Sequence, residues 1–243
     1  MGQALAVGLG AVEGFTVAAL VDVHEPRELF AAAYKSSLDE LDAKTVDVVV
    51  DFSTPEGVVS SSSWCAKNAV ALVIGTTGLS DAQRTAVEQA ATKTGVVMAS
   101  NFAIGEVLSE RFAAMAAPYF DRVEIIELHH DKKVDAPSGT SLTTARVIAQ
   151  ARKAAGRATP VDPTLRHTVV GARGAQVDGV VVHSVRLPGL VAHQEILFGG
   201  PGEGLTIRHD SFDRQSFVQG VVLAVRAVTS TPGLTIGIGS LLD

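Results

Sequence analysis

Two stretches decide the fold. They are Val46-Asp47-Val48-Val49-Val50-Asp51-Phe52, followed by Ser53-Thr54-Pro55, and Val70-Ala71-Leu72-Val73-Ile74, followed by Gly75-Thr76-Thr77-Gly78. Neither run alternates apolar with polar residues as a strand wet on one face would, so both read as strands covered on both sides, the habit of a parallel sheet. Between them, Thr54 can cap a helix that has Pro55 in its first turn and runs to about Asn68. Beyond Gly78, Ser80 caps a second helix, expected to close at Gly95. A further strand, Val96 to Ala99, then runs into Ser100-Asn101-Phe102. Toward the N-terminus the chain reads as a helix, Met1 to about Ala11, and a buried strand, Phe15 to Val21, that ends on Asp22. Strands alternating with helices give an α/β fold of the Rossmann type, a doubly wound parallel sheet.

Past Ala103 the pattern changes. A helix to about Ala117 is stopped by Pro118, a strand spans Val123 to Leu128, and a long helix ends near Gly156. Three strand-like runs, Val180–Arg186, His193–Phe198 and Leu205–Asp210, are separated by Pro/Gly turns with no helix between them, which predicts an antiparallel or mixed sheet. A helix near Phe217–Val228 and a short apolar tail close the chain.

Composition removes several classes of function. The 243 residues carry 20 Lys+Arg against 26 Asp+Glu, a net charge of −6 with the basic residues scattered. Such a chain offers no field to hold a nucleic-acid backbone. The single cysteine, Cys65, can form neither an intramolecular disulfide nor a CxxC metal site, so nothing calls for an oxidising compartment, and a cytoplasmic enzyme fits. The apolar opening, Met1 to Val23, is interrupted by Glu13 and has no basic residue before Arg27. It therefore lacks the charged start of a signal peptide, is too broken to span a bilayer, and is expected to be globular.

Three places carry chemistry. Asp22, at the end of an apolar strand and 20 residues after Gly2, stands where a doubly wound fold puts the acid that binds an adenosine ribose; a strand-end Asp opening a turn before Pro26 fits the same residues. Gly75-Thr76-Thr77-Gly78 and Ala99-Ser100-Asn101-Phe102 leave strand C-termini, the edge where open α/β sheets bind ligands, although ordinary turns also favour Gly and Thr. The densest segment is His129 to Thr140. His129 and His130 can exchange protons near neutral pH, Lys133 supplies a cation, and Ser138-Gly139-Thr140 opens a helix whose free N–H groups suit a carboxylate. A strand would send His129 and His130 to opposite faces, so the chain must leave extended geometry here if both serve one ligand. Together these groups describe a site for a small polyanionic acid; a solvated loop beside a capped helix is the plainer alternative. His183, His193 and His209 are expected to be paired or on the surface, Trp64 and Cys65 to pack in a helix, and no HxH or HExxH spacing supports a metal.

The string Glu127-Leu128-His129-His130-Asp131-Lys132-Lys133-Val134-Asp135-Ala136-Pro137-Ser138-Gly139-Thr140 closely resembles the signature of the 4-hydroxy-tetrahydrodipicolinate reductase (dihydrodipicolinate reductase) family of diaminopimelate and lysine synthesis. Val49–Thr54, Gly75–Gly78, Asn101–Gly105, Leu190–Phe198 and Arg208–Phe217 also look like family segments. The resemblance implies that His129 is the proton donor/acceptor and Lys133 the second catalytic cation, with His130 a substrate contact and Gly139-Thr140 the carboxylate cradle. It implies cofactor contacts at Asp22, Gly75, Thr76, Thr77, Ala99, Ser100, Asn101 and Phe102. It also implies a dinucleotide-binding domain from residues 1–103 and 213–243, a substrate-binding α+β domain from residues 104–212, and a homotetramer built on the second sheet. Since Val23-His24 follow Asp22 without an Arg, NADH or dual use is expected ahead of strict NADPH. Members of the family open with a strand and a GxxGxxG loop that commonly ends in Met-Gly, so a strand and loop are expected to be missing ahead of Met1-Gly2. Two other readings stay open on the residues: another NAD(P)-dependent reductase of a small carboxylated imine or aldehyde, and a truncated paralogue that binds a dicarboxylate without catalysis.

Overall fold

Helix α1 covers Gly2–Gly10 and buries Leu5, Ala6 and Leu9. Strands β1 (Ala19–Val21) and β2 (Ala33–Lys35) follow and pair in parallel as a two-stranded sheet of their own. The strand expected over Phe15–Val21 is thus confined to its last three residues, the ones that meet a partner. The computed structural model describes residues 1–25 and 32–243; the turn read at Pro26 lies outside them.

Next come β3 (Val48–Asp51), α2 (Pro55–Asn68), β4 (Ala71–Ile74), α3 (Asp81–Ala91) and β5 (Gly95–Met98). Their boundaries follow local chemistry. The Thr54 hydroxyl accepts the Gly57 N–H at 3.2 Å and Pro55 opens the first turn. Ser80 and Gln83 form a reciprocal capping box. Gly95 does not close α3, whose C-cap is Thr92. It begins β5 instead, where a Cβ would lie 2.2 Å from the Val228 carbonyl oxygen and 2.7 Å from that of Thr231; close backbone approach, not a helix stop, requires the glycine.

Helix α4 (Ile104–Ala116) leads into β6 (Arg122–His129) and α5 (Gly139–Ala154), then β7 (Ala175–Val177), β8 (Val180–Arg186), β9 (Ala192–Gly200) and β10 (Glu203–Ser211). Helix α6 (Val218–Val228) and β11 (Gly233–Ile236) complete the chain. The apolar tail is therefore a strand, a parallel partner of β5 at the sheet edge. β7 is equally invisible as an apolar run, but Asp178 and Gly179 both have positive φ, and an Asp-Gly pair of this kind makes a two-residue hairpin.

Two compact units result, one of residues 1–104 and 214–243, the other of residues 105–213. In the first, a parallel sheet of order β11-β5-β4-β3 buries every residue of β4. Leu72 and Ile74 pack with Val58, Trp64, Cys65 and Val87 of α2 and α3. The alternate residues Val73 and Val97 are equally buried, and α6 covers β4 and β5, so both faces of the sheet are clothed. In the second unit the order is β10-β9-β6-β8-β7, with β6 parallel to β8 and the other pairs antiparallel. Val123, Ile125, Val180, Val182, Ile196 and Phe198 form its inner face against Ala113 and Ala117 at the end of α4 and Ala145 and Ile148 of α5. The helix α5 lies in the β6-to-β8 crossover, so its N-terminus follows directly from the C-terminal end of β6.

Candidate active site

In the first unit, Asp51 lies opposite Ile74, and Ile74 opposite Met98. The turns that leave β3, β4 and β5 consequently share one edge. The ladder carries on into them through Gly75 N–H to Asp51 O (2.8 Å) and Ala99 N–H to Ile74 O (3.0 Å). Asp51, only 5% exposed, ties the turns together with its side chain. Oδ1 accepts the Ser53 N–H (2.9 Å), the Ser53 hydroxyl (2.7 Å) and the Thr76 hydroxyl (3.2 Å), while Oδ2 accepts the Ser61 hydroxyl (2.5 Å). Nothing in the apolar pattern marks Asp51 as more than a strand end. The available signal was a carboxylate at that end with Ser53 two residues on, a spacing that closes side chain onto backbone.

Phe52 and Phe102 stack obliquely at 5.3 Å between ring centroids. A Cβ on Gly75 would lie 2.1 Å from the Phe52 ring, so only glycine lets this turn close over it. Asn101 folds its own turn by accepting the Ala103 N–H at 2.9 Å. Gly75, Thr76, Thr77, Ala99, Ser100, Asn101 and Phe102 are therefore brought to one edge, small residues beside an aromatic pair, which fits a flat ring and its amide. Asp22 is exposed at the end of β1, on the separate two-stranded sheet. Its Oδ1 accepts the His24 N–H at 3.0 Å.

In the second unit, His129 is the last residue of β6, and the chain turns immediately afterwards, with the Lys133 N–H donating to the His130 carbonyl at 3.2 Å. The required break from extended geometry is present, and His130 is exposed on the turn. Behind His129 lies Glu127, with no solvent exposure, its Oε2 2.5 Å from His129 Nδ1. Arg186 on the neighbouring strand β8 grips the same carboxylate with both ends of its fork, at 2.8 and 2.7 Å. It also donates to the Asp135 carbonyl at 2.7 Å. The Asp135 carboxylate in turn holds the Lys133 ammonium at 2.8 and 2.9 Å. His129 and Lys133 are thus joined by one chain of hydrogen bonds through Glu127, Arg186 and Asp135. Burial would raise the Glu127 carboxyl, but hydrogen bonds from His129, Arg186 and Ser184 outweigh it and hold the group at about 2.

At the start of α5, Ser138 is buried and its hydroxyl accepts the Ser141 N–H at 3.2 Å. Gly139 is exposed, and a Cβ there would meet nothing within 4 Å. Packing within the chain gives no reason for glycine at this position, whereas a ligand lying against the first-turn N–H groups does. A carboxylate cradle, an ammonium and an imidazole backed by an ionised carboxylate can bind a small acid and deliver a proton to it.

Profiles of known families match the chain along nearly its whole length: "Dihydrodipicolinate reductase, N-terminus" over residues 1–102 and "Dihydrodipicolinate reductase, C-terminus" over residues 105–242. The chain belongs to the dihydrodipicolinate reductase family. It is 49% identical to the 4-hydroxy-tetrahydrodipicolinate reductase of Mycolicibacterium gilvum, with 100% of this chain and 95% of the relative covered. To the enzyme of the same name from Streptomyces coelicolor it is 48% identical, over 92% of this chain and 90% of the relative. A solved dipicolinate-bound dihydrodipicolinate reductase from Paenisporosarcina sp. TG-14 superposes with a TM-score of 0.87 at 40% identity, covering 98% of this chain and 94% of the other.

The three histidines on β8, β9 and β10 are in supporting places. His183 meets Glu124 at 2.7 Å, His193 meets Asp210 at 2.7 Å and His209 meets Glu106 at 2.8 Å, so all three are paired. Trp64 and Cys65 are packed in α2, and burial, with the nearby Asp51 charge, pushes the Cys65 thiol up to about 12, far from a reactive thiolate. Among the described residues no helix is long and apolar enough to cross a membrane.

Proposed function

We propose that this protein reduces 4-hydroxy-tetrahydrodipicolinate to tetrahydrodipicolinate, with NADH or NADPH as reductant, in diaminopimelate and lysine synthesis. The observation that carries the reading is the hydrogen-bonded chain from His129 to Lys133 beside the clear, capped start of α5, in a chain that aligns with reductases of this name from end to end. The reaction exchanges a hydroxyl for hydrogen, so one hydride and one proton enter and one water leaves. The bound dinucleotide supplies the hydride.

The protein's own groups do the rest. Gly139 and Thr140 hold a substrate carboxylate on the first-turn N–H groups of α5, and His130 reaches the same ligand from the exposed turn. The Lys133 ammonium stabilises negative charge that develops on the substrate. His129 delivers the proton from Nε2, because Nδ1 is engaged by the Glu127 carboxylate. On the other unit, the backbone of Gly75–Thr77 and Ala99–Phe102 holds the nicotinamide half of the dinucleotide, and Asp22 accepts hydrogen bonds from the adenosine ribose. A 2′-phosphate would meet the Asp22 charge with Val23 and His24 beside it, which favours NADH or dual use over strict NADPH.

The outer face of the second sheet, with Ile126 and Leu128 of β6 and Leu197 of β9 at its centre by strand alternation, is where copies of this chain join as a homotetramer. Both helices of that unit lie on the opposite, inner face, which supports the assignment; the mass in solution by light scattering tests it. Activity is tested by following substrate-dependent oxidation of NADH and NADPH by the purified chain. Turnover with either supports the reading. Tight dicarboxylate binding without any turnover would replace it with a binding function.

A further inference from the structure

We infer that Glu127 is a positioning residue: clamped by Arg186, it keeps the ring hydrogen of His129 on Nδ1, so that Nε2 is the nitrogen that trades the substrate proton. The inference rests on the reading of His129 as the proton donor.

The register of the sheet builds this arrangement. Glu127 and His129, two residues apart on β6, face the same side. On β8 their partners are Ser184 and Arg186, with Glu127 opposite Ser184 and His129 opposite Arg186. Four polar side chains therefore meet in one patch at the end of the inner face, beside Gln194 of β9, which lies opposite Glu127. Glu127 has no exposure to water, and an isolated carboxylate there would be costly. The two-pronged contact from Arg186 offsets that cost, with Nη1 on Oε2 at 2.8 Å and Nη2 on Oε1 at 2.7 Å. The carboxyl is ionised throughout the working pH range. An ionised carboxylate can only accept hydrogen bonds, so the hydrogen in the 2.5 Å contact with His129 Nδ1 belongs to the imidazole. With Nδ1 committed, the acid/base position of the ring is Nε2.

Arg186 extends the clamp. Its donation to the Asp135 carbonyl ties the loop that carries Lys133 to the same carboxylate, so the two groups proposed to act on the substrate share one anchor. Nothing in the pattern of the reductase signature alone specifies Arg186, which lies 59 residues from Glu127.

The test combines nitrogen NMR with kinetics. In protein labelled with ¹⁵N-histidine, the signals of His129 are those missing from His129→Ala. In the wild type the neutral His129 ring is expected in the Nδ1–H form. In Glu127→Ala it should move to the Nε2–H form or a mixture, kcat should fall about 100-fold, the scale of a lost acid/base group, and KM for substrate and dinucleotide should hardly change. A wild-type ring found in the Nε2–H form overturns the inference even if the variant does not fold. So does Glu127→Ala with unchanged kcat when His129→Ala is inactive. Full activity in His129→Ala would instead overturn the underlying assignment of His129.

Discussion

The two candidate regions, one in each unit, are made in opposite ways. The edge of the first unit consists of backbone turns, small side chains and a pair of aromatic rings, held by strand register and by one buried carboxylate, Asp51. The end of β6 in the second unit consists of long charged side chains, each placed by another through Glu127, Arg186 and Asp135. The first arrangement is tolerant of what a side chain does and intolerant of added bulk. The second is tolerant of bulk at its open glycine and intolerant of losing a single functional group. Binding a rigid, flat cofactor calls for shape, while moving a proton calls for oriented charge.

Substitution can break this comparison at its strongest point. His129→Ala and Lys133→Ala should each lower kcat by roughly 100-fold or more, the loss typical of a positioned acid/base or charge-stabilising group, with dinucleotide affinity unchanged by fluorescence titration. If either variant kept wild-type kcat, the end of β6 would not carry the chemistry. Next in size is Gly75→Ala, whose Cβ would overlap the Phe52 ring at 2.1 Å. A stability loss of about 1–3 kcal/mol, the usual cost of overpacking, should appear in urea unfolding together with a raised KM for NADH. Gly139→Val sharpens the contrast, since the position is clear of neighbours. The thermal midpoint should stay within error while substrate KM rises about tenfold, the equivalent of one weakened hydrogen bond to a charged group.

The smallest effect concerns Glu110. Burial first, then the neighbouring Glu106 charge, raises its carboxyl from 4.5 to about 7, against a hydrogen bond from Thr144. A carboxyl whose folded value lies above its unfolded one costs stability as pH rises from 4.5 to about 7 and nothing below that window. Glu110→Gln should therefore raise the thermal midpoint relative to wild type above about pH 7, with the gain vanishing below pH 4.5. Equal midpoints at all pH values would show that Glu110 is solvated.

The same contrast explains how much was legible beforehand. The parallel sheet could be read because β3, β4 and β5 are apolar runs between capped helices, signals local to ten or so residues. The short strands β2 and β11 carry no strand signal of their own and are defined by the parallel neighbours, β1 and β5, that pair with them. Gly95 reads as a helix stop from the sequence, whereas its constraint comes from the carbonyl groups of Val228 and Thr231, far along the chain. At the site, His129, Lys133 and Ser138-Gly139-Thr140 stood out because they cluster within one loop. Glu127 is visible only as a letter of the signature, Arg186 gives no sign of its role, and Asp51 shows only a strand-end carboxylate with Ser53 two residues on. Their contacts depend on which residues a strand register sets side by side, and that information is not local.

The central claim, that protons enter through the second unit of a dipicolinate-type reductase, is tested most directly by one assay. Wild-type protein and His129→Ala are compared in single-turnover oxidation of NADH at saturating 4-hydroxy-tetrahydrodipicolinate, with the product identified by mass. Rapid formation of tetrahydrodipicolinate by the wild type, slowed about 100-fold in the variant with substrate still bound, is the predicted result. An inactive wild type, or a variant as fast as the wild type, would contradict it.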